Sequence, residues 1–152
     1  ERGRAISLGA DGAIDSRAED MAAAIRGANG GNRVDVILDM TGGRITDESV
    51  NALAPFGRLG FYGQASREAP KPISPTNLLV HSTTIAGMWL PHAFRLPGNV
   101  VGQAMSELFE LSIDDQLQVV AGGEYALADA RKAHEALRSR GTTGKLVLNP
   151  SL

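Results

Sequence analysis

The chain has no cysteine. No disulfide framework can staple it, and no thiolate can ligate a metal within it. It also lacks a long apolar run: nothing approaches the roughly 20 consecutive residues that cross a bilayer as a helix. Its opening residues, ERGRAISLGAD, carry no apolar h-region and do not read as a signal peptide. There is no excess of positive charge. The formal net charge is −2, which argues against a nucleic-acid or membrane-surface partner, since both usually require a basic patch. No internal repeat, low-complexity tract or G-x-S-x-G nucleophile motif is present. A cytoplasmic protein is the expectation that remains.

What is present is ordinary in bulk and unusual in one count. A chain of 152 residues, 43% hydrophobic and 21% charged, can bury a real core. Glycine occurs 18 times, about 12% against a usual ~7%. The glycines fall mostly just after apolar segments, where α/β proteins place tight turns.

The order of segments is informative. Residues 1–9 read as a helix end closed by Gly9. GAID (12–15) reads as a very short strand, and Ser16 as the cap of a helix over 18–27 with Met21, Ala24, Ile25 and Ala28 on one face. Asn29-Gly30-Gly31 closes that helix. VDVILD (34–39) is a strand whose nearly continuous apolar character suits a parallel strand covered on both sides. Asp47–Leu53 reads as a helix with Val50, Leu53 and Ala54 inward, stopped by Ala-Pro-Phe-Gly (54–57). RLGFYG (58–63) is a strand, and the proline-bearing stretch 64–76 a loop. A short helix (77–82) and a strand TTIAGMWL (83–90) follow. A long helix over about 98–112 should turn Val101, Met105, Leu108 and Phe109 inward. Residues 117–127 are extended, 128–140 helical, and 144–148 a last strand. Alternating strands and helices with glycines at strand ends indicate a parallel α/β sheet. In such sheets ligands sit beyond the carboxyl ends of the strands.

One stretch asks more of that rule than the others. VDVILDMTGG (34–43) runs from apolar strand into an acid and then into two glycines. Glycine there lets something approach the backbone closely, unless the stretch is a plain βα turn. Asp39 fits a turn or N-terminal helix partner better than a catalytic carboxylate.

LGADGAIDS, VDVILDMTGG, LAPFGRLGFYG, NLLVHSTTIAGMWL and ADARKAHEALRSRGTTGKLVLNP, in that order and spacing, together resemble the second half of a medium-chain dehydrogenase/reductase. The pattern is nearest to the quinone-oxidoreductase and enoyl-reductase branches and covers essentially all 152 residues. The resemblance implies a Rossmann-like parallel sheet with flanking helices. The first two strands and the glycine fingerprint that cradles the pyrophosphate are lacking. It implies that residues 1–116 form a partial dinucleotide-binding domain, and that 117–152 form a C-terminal segment packing back toward an upstream catalytic domain. In the usual strand order, the two lacking strands lie between GAID and VDVILD. The VDVILD strand should then keep an open edge, so the chain is expected to be part of a longer protein or to self-associate.

The resemblance also nominates site residues. Thr41, Gly42 and Gly43 would pass the adenosine and pyrophosphate side of a cofactor. Gly63, Gln64 and Ala65 would lie against the nicotinamide ribose, with solvated loop as the plainer alternative. Met88 and Trp89 would meet the nicotinamide carboxamide and wall the substrate pocket, unless they are simply core; Met88 stands where the enoyl-reductase branch often has an aromatic. Lys145 would reach the pyrophosphate, unless it is a surface lysine. No metal site is expected in this chain: His81, His92 and His134 lack ligand spacing. His134 reads as a surface residue, and His92 has a pocket-side alternative.

The implied activity is hydride transfer between NADPH (or NADH) and a small-molecule electron acceptor such as a quinone or conjugated carbonyl. Catalytic side chains are unassigned, and the isolated chain is expected to be inactive. An enoyl-thioester reductase and a zinc-dependent alcohol dehydrogenase are the alternatives within the superfamily. A non-catalytic interaction fragment is the alternative outside it. The 83–90 strand implies a homodimer paired across a two-fold.

Overall fold

The structure, a computed structural model, describes residues 2–139 and 141–152. The ends of two expected helices, at Glu1 and Arg140, lie outside the described residues. The chain falls into two compact units, Arg2–Gly98 and Asn99–Leu152.

The first unit opens with α1 (Arg2–Ser7) and α2 (Met21–Ala28). GAID is not a strand: among the described residues it pairs with nothing. A four-residue strand has no independent stability, and the neighbour expected for it is one of the two lacking strands. Helix α2 starts later than expected and is capped by Asp20, not Ser16. The Asp20 carboxylate accepts from the Ala23 amide at 2.7 Å. Met21 and Ala22 are its buried pair, whereas Ala24 and Ile25 are half-buried and Ala28 is exposed. The Gly31 amide donates to the Arg26 carbonyl at 2.8 Å and closes the helix where Asn29-Gly30-Gly31 was expected to.

Strand β1 (Val34–Asp39) leads into α3 (Arg44–Ala52), which begins three residues before its expected start. Strand β2 (Leu53–Phe61) follows without a break. Ala-Pro-Phe-Gly therefore does not separate helix from strand; it is the irregular first half of β2. Phe56 takes φ 65° there, and its amide donates to the Ser82 carbonyl at 2.6 Å. The loop after β2 ends at α4 (Pro75–His81), where Ser74 caps and Pro75 fills the first turn. Strand β3 is only Thr84–Gly87, because Leu90–Ala93 forms a short helix, α5. The expected 83–90 strand is thus half as long as its apolar run.

β1, β2 and β3 form a parallel sheet in that order. The core sits on one side of it. Leu59 is buried there, Ala52 and Leu53 are buried at the junction of α3 and β2, and Met21 and Ala22 are buried where α2 packs on α3. Val36 and Leu38 of β1 alternate with Ile37, the partner of Leu59, and so point the other way; Leu38 is 73% exposed. Among the described residues β1 has no partner on its outer edge.

The second unit holds α6 (Val100–Ile113), β4 (Ala121–Ala126), a single 3-10 turn, α7 (Ala130–Arg138) and β5 (Lys145–Asn149). β4 and β5 are parallel, and Ala133 of α7 is buried. The inward face expected for α6 is not inward: Met105, Leu108 and Phe109 are exposed and Val101 is half-buried. The pattern marks an apolar face that the other described elements of the second unit leave open.

Candidate functional site at the carboxyl ends of the parallel strands

β1 ends at a buried acid. Asp39 is 3% exposed. One carboxylate oxygen accepts from the Thr41 amide at 2.7 Å, and the other accepts from the hydroxyl of Thr46 in the first turns of α3. Thr46 is itself 2% exposed. Asp39 thus ties strand end, turn and helix start together, which is the turn-partner role its position suggested. Thr46 was not legible as its partner, although D-x-T is an Asx-turn pattern that hints at the first of the two bonds.

Between these anchors the chain passes through Gly42 (φ 81°) and Gly43 (φ 57°). Both glycines are buried, and Gly43 precedes α3 with no side-chain cap on the helix. The loop after β2 lies directly on them. A Cβ on Gly42 would come within 2.8 Å of Gln64 Cγ and 3.0 Å of the Glu68 carbonyl oxygen. A Cβ on Gly43 would come within 2.9 Å of Glu68 Cβ. The loop is pinned by backbone: the Ala65 amide donates to the Met40 carbonyl at 3.0 Å and the Ser66 amide to the Thr41 carbonyl at 2.8 Å. Gly63 closes the cluster from the end of β2, with a Cβ there only 2.8 Å from the Met40 carbonyl oxygen. The glycines at both strand ends are therefore required by close approach of the chain to itself.

β3 ends beside them. The Met88 amide donates to the Phe61 carbonyl at 2.9 Å. Met88 is 50% exposed and Trp89 67% exposed, so neither is core. Eight of the nine nominated residues thus lie in the first unit at or just beyond the carboxyl ends of β1, β2 and β3. The ninth, Lys145, is exposed at the start of β5 in the second unit, where its amide donates to the Val120 carbonyl at 2.8 Å. Gly144 before it has φ 85°, and a Cβ there would collide with Val120.

A groove of about 800 Å³ runs along α3 toward the amino ends of the strands, lined in part by Arg33, Asp47, Lys71, His81 and Thr83. Several of its polar groups already serve the fold. The Arg33 guanidinium donates to the carbonyls of Asn51 and Leu53, and Asp47 accepts from the Lys71 amide. His92 and His134 are exposed. No group of three or more His, Asp or Glu among the described residues is placed to hold a metal.

Residues 8–148 match the family described as zinc-binding dehydrogenase. The chain belongs to that family. It is 30% identical over 154 residues to a quinone oxidoreductase of Salmonella typhimurium, covering 97% of this chain and 45% of that protein. The crystal structure of Escherichia coli quinone oxidoreductase complexed with NADPH superposes with a TM-score of 0.82 at 26% identity, over 97% of this chain and 46% of that one. A crystal structure of 2-haloacrylate reductase superposes equally well, with a TM-score of 0.82 at 29% identity, over 99% and 47%. This zinc-binding dehydrogenase-family chain therefore spans less than half the length of these relatives. The α/β fold with parallel strands and flanking helices is that of the medium-chain dehydrogenase/reductase superfamily.

Proposed function

We propose that the chain is the distal part of the cofactor-binding half of an NADPH-dependent oxidoreductase, of the kind that reduces quinones or activated double bonds. The observation that carries this reading is the meeting of Thr41-Gly42-Gly43, Gly63-Gln64-Ala65 and Met88-Trp89 at one end of three parallel strands. That is where α/β sheets bind nucleotides. The NADPH complex of a relative with the same fold supports the choice of cofactor, with NADH as the alternative.

The residues present fit one side of such a cofactor. α3 begins without a side-chain cap, and the Glu68 carboxylate of the loop after β2 lies close to its Gly43 start. Thr41, Gly42 and Gly43 would border the adenosine and pyrophosphate, Gln64 the nicotinamide ribose, and Met88 and Trp89 the nicotinamide and acceptor. When bound, the nicotinamide supplies a hydride to the acceptor, and the protein's part is to hold and orient it. No G-x-G-x-x-G fingerprint stands among the described residues, so phosphate binding by this chain is only partial. The metal named in the family's description finds no ligand set among the described residues.

On this reading residues 1–116 belong to the dinucleotide-binding domain and 117–152 to the segment that returns toward a catalytic domain. The acceptor is a small molecule, and the relatives named for quinone and 2-haloacrylate reduction both favour an electron-poor one. Pairing of two copies through β3 belongs to the same proposal. No helix among the described residues is long and apolar enough to cross a membrane.

The test is a titration with NADPH, with NADH alongside, that follows fluorescence of Trp89, the only tryptophan. A saturable change is expected. A flat response from chain that circular dichroism shows to be folded would remove the cofactor role and leave an interaction role for this segment.

A further inference from the structure

We infer that the Asp39–Thr46 pair is a positioning device for the cofactor-facing turn. It sets the backbone of Thr41-Gly42-Gly43 in the conformation that the bound cofactor requires. The inference deepens the cofactor reading and rests on it. Gly42 and Gly43 are the most permissive residues a chain offers, and their φ values of 81° and 57° lie where glycine alone is unstrained. Left to themselves such residues sample many conformations, and a binding turn that is only fractionally competent loses affinity in proportion. Something must hold them.

The residues on either side do so through one side chain. Asp39 grips the turn at the Thr41 amide and the helix at the Thr46 hydroxyl. Both of its oxygens are therefore spent inside the protein, and at 3% exposure it has no direct route to a ligand. It acts through Thr41-Gly42-Gly43, not on the cofactor. Its burial is costly unless both bonds are made, which makes the closed arrangement cooperative: losing the Thr46 bond weakens the reason for the Thr41 bond.

Thr46→Val removes the hydroxyl at almost constant volume, and Thr46→Ser restores it. Two readouts are taken on each protein: amide hydrogen exchange at Thr41 and the dissociation constant for NADPH, with thermal melting as a control. Thr46→Val is expected to speed exchange at Thr41 relative to the core amide of Leu59 and to weaken NADPH binding about tenfold, as when the competent turn falls to a tenth of the population. Thr46→Ser is expected to return both toward the parent values. A Thr46→Val protein that melts lower but keeps its Thr41 protection and NADPH affinity would overturn the inference, since the pair would then be structural only. If the parent chain binds no NADPH, the cofactor reading fails. The inference then falls with it, whereas NADPH binding by the parent together with unchanged Thr41 exchange and affinity in Thr46→Val would refute positioning alone.

Discussion

Gly63 shows how little space separates the strand ends. A methyl group there meets the Met40 carbonyl oxygen at 2.8 Å and Met40 Cα at 3.1 Å, both backbone atoms of the neighbouring strand exit. Backbone cannot rotate aside as a side chain can. Gly63→Ala should therefore cost about 1–3 kcal/mol, the usual range for overpacking. It should lower the melting temperature by several degrees; an unchanged melt would mean that the exits of β1 and β2 sit further apart. A second prediction concerns charge. The Arg17 side chain hydrogen-bonds the Asp15 carboxylate, and the Arg17 amide adds to it, so Asp15 titrates below its ordinary value. Because the folded value is the lower one, the small contribution of this exposed pair is present above the unfolded value and fades as pH falls through the folded one. Carbon-detected NMR titration should show the Asp15 midpoint rise in Arg17→Ala. At this scale the sequence was partly legible. The glycines of 42–43 announced a close approach, but sequence spacing does not reveal whether the approaching group is a ligand or the loop 64–68. The hidden partner of Asp39 was equally out of reach, because Thr46 looks like any helical threonine until its burial is known.

Elements bounded by local chemistry were read well, and elements bounded by neighbours were not. Asn29-Gly30-Gly31 closes α2 and the parallel β1–β2–β3 order follows from alternating strands and helices, all signals that act over a few residues. GAID failed as a strand because strands exist only as pairs. Ala-Pro-Phe-Gly looked like a breaker, yet Leu53–Phe61 is continuous strand, since the pairing of Val34 with Leu53 overrides local preference. β3 stops at Gly87 because Pro91 opens α5. Ser16 was the expected cap of α2, but Asp20 caps it, and Asp20 lies where the following Met21 and Ala22 can reach the core. Asp20→Ala should cost about 1 kcal/mol, as lost N-caps do. Ser16→Ala should cost almost nothing. Denaturant melts of the two variants check this, and a larger loss at Ser16 would mean that the cap is misassigned.

Across the whole molecule the pattern and the burial disagree in a consistent direction. The apolar runs that predicted covered surfaces are real, but in β1 and α6 they lie open: Val36, Leu38 and Met40 around β1, and Met105, Leu108 and Phe109 on α6. The chain spans less than half the length of relatives that share its fold, and these open faces carry the apolar pattern of surfaces that are elsewhere covered. The outer edge of β1 is the most consequential of these surfaces, because it adds a row of unsatisfied backbone groups to an apolar strand. An isolated chain with that edge should pair it with a second copy. Sedimentation at increasing concentration is expected to show masses above the 16.0 kDa of one chain. Leu38→Lys, placed on the open face away from the Leu59 side, should reduce that association without lowering the melting temperature, since it removes no buried contact and charges the edge as natural sheets do. A chain that stays monomeric throughout would overturn this, and would mean that the outer edge of β1 does not recruit a second strand in solution.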